Sequence, residues 1–232
     1  MRTTVGQILG TTFCALLFNC ALHGSVIQPQ ANPRGNLVTV EPDNFEPGAD
    51  LSRATPGVVL STFGTQPDFG FPLLSDKVRA LFPHNPDAPA PTGELVFGME
   101  TFAFETGFYG GGHQFRADFT RPTDFVLIQV APDNSNGLPD VAMIQIFGVG
   151  GTLLDSYTTL GFSENVSFSR PAADISYMIA TNPPGLEGDS YMLDRLVFQS
   201  TAAIPEPATW PLALGGLAAL LLRSRRFSRA SL

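Results

Sequence analysis

The chain has few of the residues on which many functional classes depend. Its 232 residues include one tryptophan, three histidines, one lysine (Lys77) and two cysteines (Cys14 and Cys20). Both cysteines lie in an N-terminal segment that we expect to be removed on export. The mature protein would then have no disulfide, no cysteine nucleophile and no cysteine metal site, so a core of adequate size must hold the domain together.

Positive charge is also scarce. Residues 26–204 contain 8 Lys and Arg against 20 Asp and Glu, which gives a net charge of −12. Such a surface argues against binding to nucleic acid or to anionic membranes. It is typical of a soluble extracellular protein, and it favours divalent cations.

The sequence contains little that points to catalysis. His23 lies in the N-terminal segment, His84 in a proline-rich loop, and His113 beside three glycines. Neither Gly-x-Ser-x-Gly nor His-Glu-x-x-His occurs. The many acids offer carboxylate pairs of the kind that cleave glycosidic bonds, but nothing selects one pair. We therefore predict that the protein is not an enzyme, with a secreted glycan hydrolase as an alternative.

The N-terminus has the layout of a secretory signal peptide. Arg2 is followed by the uncharged stretch 3–22, which is rich in Leu, Phe, Ala and Cys. We predict a signal helix over residues 1–25, export through the Sec route, removal by signal peptidase and a flexible lead over 26–36. The sequence leaves the cleavage site itself open.

The C-terminal segment 201–232 has three parts in order. First comes an extended motif, because Pro205 and Pro207 flank Glu206 and prolines restrict the backbone around them. An uncharged run over 208–222 follows, with Trp210 placed as an interfacial anchor; it is short but predicts a transmembrane helix. The basic tail 223–232 places the C-terminus in the cytoplasm through four arginines: Arg223, Arg225, Arg226 and Arg229.

This arrangement resembles the PEP-CTERM sorting signal of Gram-negative bacteria. The resemblance implies recognition of Pro205, Glu206 and Pro207 by an exosortase, a membrane-embedded cysteine enzyme that is the processing partner of such chains. It also implies transient anchoring in the inner membrane, followed by transfer to the cell surface or extracellular matrix. A permanent single-pass anchor is the alternative, and a buried C-terminal helix is a weaker one.

Between the two signals, residues 37–200 predict one all-β domain. Short apolar or alternating runs are separated by Gly, Pro and Asn, and nineteen phenylalanines provide an aromatic core. The pattern predicts an antiparallel, jelly-roll-like β-sandwich of 8–10 strands. Residues 64–93, which are rich in proline, are interpreted as a long loop that contains at most a helical turn or short strand near 75–82.

The domain also resembles secreted galactose-binding-like or carbohydrate-module sandwiches, through the segments 57–61, 124–130, 146–154 and 191–198. That resemblance implies a structural Ca²⁺ held by Asp194 together with an early acid, for which Asp43, Glu46 and Asp50 are candidates. The alternative is that Asp194 faces solvent or pairs with an arginine.

A glycine-rich segment, 108–113, places Tyr109 where an exposed ring would stack on a sugar. A glycine-rich loop with a buried phenylalanine is the alternative. We therefore predict an exported, matrix-associated protein that binds exopolysaccharide. A structural matrix protein without a ligand is the second hypothesis.

Overall fold

The structure is a computed structural model that describes residues 36–64, 72–85, 89–101, 105–133, 140–186 and 189–200. The predicted signal helix and the whole sorting segment, including Pro205 to Pro207, Trp210 and the four arginines, lie outside these ranges. Within them, no helix is long and apolar enough to cross a membrane.

Antiparallel strands account for nearly all of the regular structure in the described ranges. In chain order they are β1 Asn36–Val40, β2 Val58–Phe63, β3 Arg79–Leu81, β4 Val96–Glu100, β5 Glu105–Thr106, β6 Tyr109–Gly110, β7 Gln114–Thr123, β8 Phe125–Pro132, β9 Met143–Phe147, β10 Leu153–Thr158, β11 Glu164–Ser169, β12 Ile175–Thr181 and β13 Ser190–Ser200. Two short 3₁₀ turns, Pro42–Asn44 and Val149–Gly151, are the helical elements among these residues.

The strands form two sheets. In the first sheet the order is β11-β8-β13-β4-β3, with β1 and β6 also paired to β13 and β5 paired to β4. In the second sheet the order is β10-β9-β12-β7-β2. The prediction of an all-β chain built from antiparallel sheets is confirmed.

The core lies between the sheets and is rich in aromatic rings, as the phenylalanine content predicted. Phe97 of the first sheet packs against Phe115 of the second with ring centroids 5.3 Å apart, and Phe198 packs against Phe119 at 5.2 Å. These rings are buried because alternate residues of each strand point inward. Full burial of one such side chain contributes about 1.5–3 kcal/mol.

The short strand that the sequence allowed near 75–82 is present as β3, which pairs with β4 and buries Ala80 and Leu81. A second short strand, β5, pairs with the other end of β4. Strands of two or three residues are too short to show a periodicity of two, so alternation alone gives no bounds for them.

The outward faces of the two sheets differ. On the first sheet, Val96, Ala131 and Met192 point outward yet are buried, because Ala90 and Phe108 pack over them. On the second sheet, the outward positions of β9 and β2 alternate with the buried ones and remain partly exposed. Among the described residues, the first sheet is therefore covered by its own chain, and the second is open at these strands.

Candidate functional site

Asp194 lies on the covered face and is completely buried. A β-bulge between Asp194 and Leu196 places Arg195 at a φ of +30°, a region that non-glycine residues rarely occupy. The bulge lets the Arg195 N–H donate to Asp194 Oδ1 at 2.7 Å. The Thr92 N–H donates to Asp194 Oδ2 at 2.8 Å, so this carboxyl fastens the covering segment to β13.

A second carboxyl, that of Glu41, meets the same threonine. Thr92 Oγ1 lies 2.6 Å from Asp194 Oδ2 and 2.9 Å from Glu41 Oε1, and Arg195 Nε donates to Glu41 Oε2 at 2.9 Å. A hydroxyl has one hydrogen, so it can donate to only one of the two carboxyls at a time. Burial, together with a side-chain hydrogen bond to Glu41, raises the pKa of Asp194 to about 6 against the hydrogen bonds donated by Thr92 and Arg195, which lower it. A proton on Asp194 would supply the second donor that two carboxyls facing one hydroxyl require.

Asp43 holds the next residues of the same covering segment. Its Oδ1 accepts the N–H groups of Glu94 at 2.8 Å and Leu95 at 3.0 Å. Gly93, between Thr92 and Glu94, has a φ of +61°, and a Cβ there would collide with the Asp43 carboxylate. Three carboxyl side chains, those of Glu41, Asp43 and Asp194, therefore hold residues 92–95. We call these side chains and the segment that they hold the carboxyl clasp.

The clasp differs from the predicted calcium site in its members. Glu41, which the sequence analysis did not select, is the acid that faces Asp194. Glu46 instead offers its backbone carbonyl to the Ala49 N–H, and Asp50 pairs with Lys77 at 2.7 Å. Across the part of the chain that the structure describes, no three His, Cys, Asp or Glu residues gather to hold a metal ion. Structural Ca²⁺ at Asp194, Asp43 and Glu46 stays a prediction.

Tyr109 was predicted to be an exposed sugar-stacking ring, and that prediction is wrong. The residue begins β6 and is completely buried. Its ring stacks on Tyr191 with centroids 6.0 Å apart and meets Phe115 edge-on at 5.8 Å. Burial raises the pKa of Tyr109 well above its ordinary value. Pairing with β13 turned the glycine-rich segment inward, so this ring has no face for a sugar.

The open face of the second sheet carries a different set of side chains. Phe147 of β9 and Tyr177 of β12 are cross-strand partners whose rings stack with centroids 4.7 Å apart and planes 11° apart. On the other side of β12, Arg116 of β7 places its Cζ 3.9 Å from the Tyr177 ring centre. Asp118 fixes this guanidinium by two hydrogen bonds of 2.7 and 2.6 Å. We call these four residues the aromatic row.

The members of the aromatic row contact one another and differ in chemistry. The stacked rings and the guanidinium support one another through ring and cation–π contacts. The bidentate bond to Asp118 raises the pKa of Arg116. Apolar ring edges therefore lie beside a phenol, a guanidinium and a carboxylate whose positions are set before any ligand arrives.

A groove continues the open face at its β2 edge. Val59 and Ser61 of β2 are the cross-strand partners of Asp118 and Arg116, and both also line this groove. The cavity has a volume of about 460 Å³, within the range of small-ligand sites. Its other lining residues are Asp50, Ser52, Arg53, Ala54, Leu60, Asp76 and Lys77.

Neither the aromatic row nor the groove was predicted from the sequence. Arg116 and Tyr177 are 61 positions apart, and only the pairing of β7, β9 and β12 brings Phe147, Tyr177 and Arg116 together. The sequence holds a partial signal in 113–119, where alternation places Phe115 and Phe119 on one face and hence Arg116 and Asp118 on the other.

Comparisons with known proteins give structural similarities only. No family model and no curated protein matches the chain. One similar structure is the K2 cleaved adhesin domain of Lys-gingipain, with a TM-score of 0.45, 14% identity and coverage of 71% of this chain and 100% of that one.

Two others are carbohydrate-binding modules. TmCBM61, solved with β-1,4-galactotriose, has a TM-score of 0.36 and 14% identity, over 66% of this chain and 95% of that one. CBM29_1 of Piromyces equi, from family 29, has a TM-score of 0.36 and 7% identity. The match covers 70% of this chain and 89% of that one.

Proposed function

We propose that this protein is an exported, non-catalytic polysaccharide-binding protein whose binding surface is the open face of the second sheet. The observation that carries the proposal is the aromatic row. A sugar ring has apolar C–H faces and a rim of hydroxyl groups. A surface that combines fixed ring edges with a phenol, a guanidinium and a carboxylate matches both features without rearrangement.

The contrast between the two sheets supports this choice of surface. On the first sheet, Ala90 and Phe108 cover the apolar outward side chains, and the clasp holds the residues that follow Ala90. The protein itself therefore occupies this part of the face. On the second sheet, Phe147, Tyr177 and Arg116 remain partly exposed although they are apolar or amphipathic. Their stacking keeps them ordered without burying them.

The destination is part of the same proposal and rests on the sequence. The N-terminal signal and the PEP-CTERM-like tail would deliver the domain to the cell surface or matrix, where polysaccharide is abundant. Intact mass of the protein recovered from its host tests this: a chain that ends near Pro205 indicates processing by an exosortase. A chain that keeps Trp210 and the arginines indicates a permanent anchor and would contradict release.

Binding is tested by affinity electrophoresis of the exported protein in gels that contain neutral galactan, β-glucan or xylan. We expect retardation by at least one polymer, and Tyr177→Ala should weaken it roughly 3- to 10-fold because the row loses its central ring. Phe162→Ala is the matched control, since Phe162 is 55% exposed but belongs to the loop before β11.

Two outcomes would oppose the proposal. Unretarded migration in every gel would favour a structural matrix protein without a ligand. Shortening of the polymer during incubation would favour the hydrolase alternative.

A further inference from the structure

We propose that the groove beside β2 binds a single carboxylate of the polysaccharide and that Arg53 is the residue that recognises it. The ligand would then be an acidic heteropolysaccharide with spaced uronic acid units. This inference rests on the proposed function, because it extends the same open face across its β2 edge.

The groove has a built frame. The Leu60 N–H donates to the Ser52 carbonyl at 2.9 Å, and the Thr62 N–H donates to the Asp76 carbonyl at 2.8 Å. These bonds attach the two bordering segments, around residues 52 and 76, to the edge of β2. The borders of the groove are therefore held by the backbone and do not depend on a ligand.

The basic groups of the groove differ in their availability. Lys77, the one lysine of the chain, is engaged with Asp50 at 2.7 Å, and this contact lowers the pKa of Asp50. Arg116, next to the groove, is engaged with Asp118. Arg53 makes no ion pair within the described ranges. The planar guanidinium group of Arg53 can donate two parallel hydrogen bonds to the two oxygens of one carboxylate.

The acids of the groove restrict how much negative charge it accepts. Asp50 is neutralised by Lys77, while Asp76 lines the same cavity. Arg53 can therefore balance one added carboxylate, whereas closely spaced carboxylates would meet Asp76. At physiological salt the Debye length is about 8 Å, so charges farther than that from the groove are largely screened and the groups that line it have the largest effect.

The spacing lets one chain reach both sites. Neighbouring strands lie about 4.8 Å apart, so Tyr177 on β12 and the groove at β2 are separated by about 10 Å. A short oligosaccharide segment covers that distance. A neutral unit would then lie on the aromatic row while the next acidic unit enters the groove.

The test compares hyaluronan, in which every second sugar carries a carboxylate, with the same polymer after reduction of its carboxyls to hydroxymethyl groups. Affinity electrophoresis of the exported protein should show tighter binding to the acidic form. Arg53→Gln should weaken that binding roughly 2- to 5-fold, as expected for an exposed ion pair, and leave the reduced polymer unaffected.

Three variants separate the possible causes. Arg53→Lys keeps the charge but not the fork, so it should restore only part of the preference. Arg170→Gln removes the same charge from the end of β11 on the other sheet and should change neither affinity. Tyr177→Ala should weaken both polymers equally.

The outcomes distinguish this inference from the proposed function. Equal binding of the two hyaluronan forms, or an unchanged preference in Arg53→Gln, overturns the carboxylate site while glycan binding stands. Absence of binding to hyaluronan, its reduced form and the neutral polymers overturns both.

Discussion

The two outward faces of this sandwich show how similar sheets serve opposite purposes. On the first sheet, a buried aspartate, a second acid and a threonine fasten residues 92–95, beside Ala90, which packs with Phe108 over apolar side chains. On the second sheet, polar and aromatic groups satisfy one another within the sheet surface and need no cover. The buried acid Asp194 fixes the backbone of a covering segment. The half-exposed acid Asp118 instead positions the Arg116 side chain at the surface, where a ligand could contact it.

The sharpest way to test this comparison is to remove one acid from each face. Asp194→Ala should lower the free energy of unfolding by about 2–4 kcal/mol, because the N–H groups of Thr92 and Arg195 lose their acceptor where water cannot replace it. Asp118→Ala, the matched change on the open face, should cost about 0–1 kcal/mol. Urea unfolding of both variants checks this, and equal losses would remove the distinction between the faces.

The pH dependence should also come from the covered face. The pKa of Asp194 is about 6 in the folded protein and 3.8 ordinarily. The folded state therefore holds this proton more tightly than the unfolded chain. The bound proton therefore stabilises the folded state fully below pH 3.8. As the pH rises through 6 this contribution is lost, and the free energy of unfolding falls by about 1–3 kcal/mol.

Asp194→Asn should abolish that contribution. Stability curves of wild type and variant, measured by thermal unfolding between pH 4 and 7, should diverge at the acid end and converge near neutrality. Acids that pair with arginine, such as Asp174, have a lowered pKa and therefore stabilise the fold more as the pH rises. They do so equally in both proteins, so their effect cancels when the stability of the variant is subtracted from that of the wild type. Parallel curves would show that the folded state does not raise the pKa of Asp194.

A smaller effect on stability is expected at Gly93, the glycine of the carboxyl clasp. Gly93→Ala should destabilise the fold by about 1–2 kcal/mol, because alanine is strained at a φ of +61° and its Cβ displaces Asp43. Gly150→Ala shares the strain, at a φ of +78°, but its Cβ meets nothing within 4 Å. The difference between the two variants in the free energy of unfolding, measured with a chemical denaturant, gives the cost of displacing Asp43. Identical losses would mean that the whole effect comes from backbone strain at positive φ.

The smallest effect on stability is expected on the open face. Tyr177→Ala should cost about 1 kcal/mol or less, since its ring gives up contacts with Phe147 and Arg116 but fills no core space. A loss as large as that of Asp194→Ala, measured in the same urea series, would mean that the aromatic row exists for folding and not for recognition.

Much of the fold could be predicted because it depends on local patterns. The runs that became β2, β7, β8, β11 and β12 alternate or are uniformly apolar, and glycine and proline separate them. The short strands β5 and β6 could not be predicted, because two residues have no period. Tyr109 was misplaced for the same reason: its inward orientation follows from pairing with Tyr191, which is 82 positions further along the chain.

The candidate site was less predictable than the fold. Asp194 stood out because an acid among leucines must be paired, but the choice of Glu41 over Glu46 depended on how the residues after β1 cross the sheet. The aromatic row had no signature in the sequence beyond the alternation in 113–119, since each of its strands has the pattern of an ordinary half-buried strand.

By itself, the sequence determined the all-β class, the aromatic core and the acidic surface, because side-chain alternation, composition and charge are properties of the chain in order. The tertiary structure decided which face is covered, which acids meet and which rings stack. Those relations join residues from distant strands, and only the sheet register, with its bulge at Arg195, brings them within contact distance.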